Sequence, residues 1–134
     1  MFDELMHNYI KSTLSMSPVM PVLTINNIDK VEYLFEALIN GNLKVLEITL
    51  RTDCALKAIE IASKKFPSMK IGAGTVLNNE DLISVKNAGA TFAVSPGSTI
   101  SLATHAIKIK FPFLPGVTNS SDIMNLINLD YKFF

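Results

Sequence analysis

Short apolar runs alternate with amphipathic segments along almost the whole chain. Phe2, Leu5, Met6, Tyr9 and Ile10 recur at helical spacing and predict a lead-in helix within residues 1–16. Six β-type runs follow, at 19–24, 43–50, 69–73, 91–94, 110–114 and 129–134. Pro18 and Pro21 restrict the first of them to an edge or a strand start. Helical stretches separate the runs. One presents Val31, Leu34, Phe35 and Leu38 between Asn27 and Gly41, and another occupies 55–66. A third is capped by Asn79 and stopped by Gly89, and shorter ones cover 99–107 and 120–127.

The strand starts recur at steps of about 24, 26, 22, 19 and 19 residues. Repeated βα units of this length predict a parallel sheet with right-handed crossovers. Two architectures use such units, an open doubly wound sheet and a closed (β/α)8 barrel. The first needs a phosphate-binding turn after an early strand. Gly72-Ala73-Gly74 supplies half of that fingerprint, but Leu77 stands at the third glycine position, and no Walker lysine motif exists. Dinucleotide binding is disfavoured.

Composition narrows the function classes. Of 134 residues, 49% are hydrophobic and 18% charged, and twelve basic against twelve acidic side chains leave no net charge. Neither a nucleic-acid partner nor an anionic membrane surface is expected of such a chain. It is too apolar to be disordered. The mean hydropathy of +0.32 fits strands buried on both faces. The longest uncharged stretch, 87–106, is interrupted by Gly89, Pro96, Gly97 and six Ser/Thr residues, so no membrane span is expected. The acidic start Met-Phe-Asp-Glu does not resemble a secretory signal. A single cysteine, Cys54, suits a reducing, cytoplasmic setting.

The second strand carries the candidate chemistry. Alternation sends Leu46, Ile48 and Leu50 to one face, and Val45, Glu47, Thr49 and Arg51 to the other. A helix layer would cover the first face. In a barrel the second face is the interior, with its active site at the strands' C-terminal ends. A solvated Arg/Glu pair at a strand edge is the competing reading. In the last run, Tyr131 and Phe133 share one face, Lys132 and Phe134 the other. A lysine buried among aromatics would be desolvated and nucleophilic. A solvated lysine near a terminus is the alternative. The glycines of Gly72-Ala73-Gly74, Pro96-Gly97 and Pro115-Gly116 serve either close ligand approach or ordinary tight turns. His7 and His105 are isolated and read as surface or packing residues, and Cys54 as a small packing residue.

The motifs taken in order resemble one family, the 2-keto-3-deoxy-6-phosphogluconate / 4-hydroxy-2-oxoglutarate aldolases. They are Val19-Met20-Pro21-Val22, the run Val45-Leu46-Glu47-Ile48-Thr49-Leu50-Arg51-Thr52, and Gly72-Ala73-Gly74-Thr75-Val76-Leu77. Phe92-Ala93-Val94-Ser95-Pro96-Gly97, Pro115-Gly116-Val117 and Lys132-Phe133-Phe134 follow. The resemblance implies a (β/α)8 barrel and a class I aldolase working through a Schiff base, with no metal or other cofactor. It makes Lys132 the Schiff-base lysine, Glu47 the general acid/base and Arg51 the carboxylate-binding residue. Thr75, Pro96 and Phe134 would line the pyruvate pocket. The implied reaction splits 2-keto-3-deoxy-6-phosphogluconate to pyruvate and glyceraldehyde 3-phosphate, and 4-hydroxy-2-oxoglutarate to pyruvate and glyoxylate. The implied assembly is a homotrimer.

A complete barrel takes at least about 200 residues. This chain is therefore expected to hold one partial domain, the lead-in helix plus about six of eight βα units over 18–134. Two alternatives to an active aldolase stand beside that expectation. One is an inactive truncated or split remnant, and the other a non-catalytic small-molecule binding module.

Overall fold

A computed structural model describes residues 4–134. Within them helix α1 spans Glu4–Leu14, so Phe2 of the expected lead-in helix lies outside the described residues. The βα units then follow in order. Strand β1 is Val22–Leu23, α2 Val31–Asn40, β2 Val45–Thr49, α3 Ala55–Lys65 and β3 Lys70–Gly74. They continue with α4 Asn79–Ala88, β4 Phe92–Val94, α5 Ile100–Lys108, β5 Phe113–Leu114 and α6 Ser120–Asn128.

All neighbouring strands pair in parallel, in the order β1-β2-β3-β4-β5. That order decides between the two architectures. A doubly wound sheet reverses its strand order at a switch point, which places helices on both faces. Here each strand is added on the same side as the last. Same-handed crossovers then put every helix on one face, as in a barrel wall.

The two faces pack differently. Leu46, Ile48, Ile71, Ala73, Ala93 and Phe113 join a large cluster with helix residues such as Phe35, Ile59, Leu82 and Leu102. On the other face a smaller cluster gathers Val45 and Phe92 around Ile10 of α1, with Met20, Val94, Leu114 and Phe133 at its margin. Thus α1 covers the inner face near the strands' N-terminal ends. The Tyr9 ring lies 5.1 Å from the Lys70 ammonium at the start of β3.

Several boundaries differ from the expected ones. Asn78, not Asn79, caps α4, its side chain accepting from Asp81 N at 2.8 Å. Two adjacent asparagines offer the same cap chemistry, and only backbone geometry chooses between them. Gly89 ends that helix with φ +99°, as a left-handed cap requires. The strand expected from Lys110 begins only at Phe113, because Lys110 adopts φ +51° where the chain leaves α5.

The sixth strand is the larger correction. Residues 129–134 do not join the sheet. Leu129 caps α6, Asp130 takes φ +63°, and Tyr131 N donates to Leu126 O at 3.0 Å. The residues 131–134 have strand-like composition, but a strand exists only where a neighbour accepts its hydrogen bonds. Tyr131 and Phe133 also part company. Tyr131 turns to the helix layer and donates from its hydroxyl to Ala103 O at 2.9 Å. Phe133 joins the inner cluster, with its ring 6.4 Å from that of His7.

The two-faced core sets a contrast in stability. Leu46→Ala, at a fully buried position under the helices, should cost about 2–5 kcal/mol in chemical denaturation. Val22→Thr, on the exposed edge, should stay within about 0.5 kcal/mol.

Candidate active site

Glu47 lies on β2 among five consecutive buried residues. It faces the inner side with Val45 and Thr49, because the register pairs Val45, Glu47 and Thr49 with Lys70, Gly72 and Gly74. An edge-exposed Arg/Glu pair is therefore ruled out for Glu47, which retains 8% exposure. Arg51 differs. It follows the strand, is exposed, and acts on Glu47 through charge. Burial raises the Glu47 carboxyl above its ordinary value, and the opposing pull of the Arg51 guanidinium is the smaller effect. The result is a carboxyl that holds its proton to higher pH than a solvated glutamate does.

Thr49 has no exposure and donates from Oγ1 to Leu23 O at 3.0 Å. Thr52 Oγ1 and Cys54 Sγ both donate to Ile25 O, at 2.6 and 2.9 Å. These bonds tie the loop after β2 to the segment after β1. Cys54 thus has a packing and hydrogen-bonding role at the start of α3.

The glycine motif has a different cause from either one expected. Gly72 and Gly74 are strand residues, not turn residues, and neither has positive φ. Each leaves space for a neighbour's side chain. A Cβ on Gly72 would stand 2.2 Å from the Phe92 ring, and one on Gly74 would stand 1.6 Å from Glu47 Oε1. Thr75, directly after, adopts φ +59°. A β-branched residue there carries strain of about 1–3 kcal/mol, a conformation that clusters at ligand-binding sites. Nothing in the residue pattern announces it.

Ser95 is buried and Pro96 exposed at the end of β4. Gly116 packs against them so closely that a Cβ would meet Ser95 O at 2.5 Å, and its N–H donates to Ser95 Oγ at 3.3 Å. The mouth loops after β1 and β2, and those after β4 and β5, are thus joined in pairs. Asp122, after the last of them, accepts from Thr118 N and Asn119 Nδ2, each at 3.1 Å, so it serves the α6 cap.

Lys132 and Phe134 lie on the tail after α6. Lys132 is exposed on the tail, and Phe134 keeps 42% exposure. Of the two readings of Lys132, the solvated one is observed, because the tail pairs with no strand and its neighbours turn to opposite sides. The structure thus brings together Glu47, Arg51, Gly74 and Thr75, with Pro96 on the same rim of strand ends. Cavities of about 530 and 590 Å³ lie elsewhere, the first beside α1 and the second between α3 and α4. His7 is buried on α1. Among the described residues no three His, Cys, Asp or Glu side chains converge as a metal site, and no helix is long and apolar enough to cross a membrane.

Residues 10–134 match a family model described as KDPG and KHG aldolase. A 2-dehydro-3-deoxy-phosphogluconate aldolase of Zymomonas mobilis is 48% identical over 128 residues, covering 93% of this chain and 61% of the relative. A KHG/KDPG aldolase of Escherichia coli is 40% identical over 129 residues, covering 92% and 60%. The chain thus spans about three-fifths of the length of these curated relatives. Among solved structures, a Legionella pneumophila KDPG aldolase holding pyruvate as a covalent carbinolamine superposes with TM-score 0.87 and 41% identity. That match covers 90% of this chain and 58% of the other.

The raised Glu47 carboxyl has a consequence for stability. A carboxyl whose folded pKa exceeds its unfolded one contributes stability below the unfolded value and loses it as pH rises through the folded one. Glu47→Gln should therefore raise Tm at about pH 7–8, and the gain should shrink below pH 4.5, where the parent carboxyl is also neutral. Equal Tm differences at both pH values would contradict the burial argument.

Proposed function

Because the chain belongs to the KDPG and KHG aldolase family, we propose that it forms the catalytic part of a class I aldolase acting on 2-keto-3-deoxy-6-phosphogluconate. The single observation that carries the reading is the inner face of β2. A buried acid with a raised pKa lies there in mid-strand, within the charge influence of Arg51 just past the strand's C-terminal end.

The chemistry follows from those groups. The Lys132 amine attacks the substrate's C2 ketone to give a carbinolamine, which loses water to form an iminium. The iminium draws in the electron pair of the C3–C4 bond while the C4 hydroxyl gives up its proton to Glu47, releasing glyceraldehyde 3-phosphate and leaving an enamine of pyruvate. Protonation at C3 and hydrolysis return pyruvate and the free amine. Glu47 supplies and removes the protons of the carbinolamine and enamine steps, its burial keeping it protonated further up the pH scale. Arg51 pairs with the substrate carboxylate, which its fork suits. Thr75, Pro96 and Phe134 line the pyruvate end. The shorter 4-hydroxy-2-oxoglutarate, cleaved to pyruvate and glyoxylate, is a second substrate by the same steps. A homotrimer and a cytoplasmic setting belong to this reading.

The exposure of Lys132 favours a second reading, in which the same loops bind a keto acid without reacting. Pyruvate with borohydride separates the two. An active lysine gains a pyruvyl mass that maps to Lys132 and is lost in Lys132→Arg. A folded protein of unchanged mass would overturn the aldolase reading for this chain. In the active case Glu47→Gln should lower kcat by roughly 10²–10⁴-fold, and Arg51→Ala should chiefly raise KM.

A further inference from the structure

The geometry points to Gly74 as the residue that positions the Glu47 carboxyl, by leaving the space in which that carboxyl sits. The inference rests on the reading of Glu47 as the proton-transfer group. Across the β2–β3 pair Glu47 stands opposite Gly72, yet its side chain lies over Gly74. A Cβ at Gly74 would fall 1.6 Å from Oε1, 2.4 Å from Cδ and 2.7 Å from Cγ of Glu47. The position opposite is already taken. Above Gly72 stands the Phe92 ring of β4, 2.2 Å from where a Cβ would be. The alternating glycines of β3 thus divide the inner face. Gly72 receives the aromatic ring near the closed end, and Gly74 receives the acid toward the mouth.

Backbone freedom does not explain the glycine. Gly89 is the glycine with positive φ among the described residues, so an alanine at 74 meets no backbone penalty. Its three nearest atoms all belong to one flexible side chain, the Glu47 carboxyl and its methylene. An added methyl therefore evicts the carboxyl and leaves the sheet in place. Ala73, one position away, faces the helix layer and contributes nothing to this arrangement.

Gly74→Ala tests the inference without depending on turnover. A carbon-13 titration of the Glu47 carboxyl should show its pKa falling toward 4.5, since the group leaves its buried seat. Thermal unfolding should show that Gly74→Ala shifts Tm in the parent but hardly at all in a Glu47→Ala background, where the methyl has room. If Gly74→Ala does not fold alone, the Glu47→Ala/Gly74→Ala pair should fold. An unchanged Glu47 titration in folded Gly74→Ala, an equal Tm shift in both backgrounds, or an unfolded double variant would each overturn it. Where the enzyme turns over, Gly74→Ala should lower kcat, move the pH profile and leave KM nearly unchanged. Glu47→Gln without kinetic effect would remove the catalytic reading of Glu47 while leaving the titration and Tm outcomes intact.

Discussion

Burial of β2 on both faces is the constraint from which the rest of the structure follows. All five of its residues are buried, so both sides of the strand must be covered. Helices cover one side, with Phe35, Ala58 and Ile59 among the residues meeting Leu46 and Ile48. The other side cannot use helices, because sequential strand order and one-handed crossovers send them all one way. Its cover comes from α1 below, from side chains of neighbouring strands, and from the tail through Phe133. An acid placed on that side is desolvated by the fold itself.

That constraint gives the glycines of β3 their meaning. An inner face lined by large side chains on every strand would overfill. With Gly72 and Gly74 on β3, Phe92 from β4 and Glu47 from β2 can share the space between them. Packing and chemistry are here one problem. The volume that admits the carboxyl also keeps water from it, which raises its pKa. The mouth above is held by short side-chain-to-backbone bonds from Thr49, Thr52 and Cys54 rather than by a hydrophobic lid.

Lys132 shows how the fold and its site depend on different parts of the structure. The helix layer closes over β2, β3 and β4 with residues local to each unit, so those strands are complete within 134 residues. A sixth strand has no such independence. Its hydrogen bonds must come from neighbours, and here Tyr131 and Phe133 anchor the tail by side chains on opposite sides. Lys132, between them, faces solvent. Among the described residues no strand pairs with the outer edges of β1 and β5, and the chain covers 61% and 60% of two of its curated relatives.

Hydrophobic periodicity alone established the βα alternation, because strands and helices of one unit bury their own faces locally. Alternation along 45–51 likewise put Glu47 and Thr49 on the inner side, since a strand's period of two admits no other grouping. The ordered motifs carried the family. Other features were out of reach. Asn78 rather than Asn79 as the cap, φ +59° at Thr75, and the failure of 129–134 to pair all depend on partners or backbone angles that residue types do not encode. The role of Gly74 belongs to the same group. A glycine declares only that a side chain is absent, and the tertiary structure alone decides whose side chain fills the space.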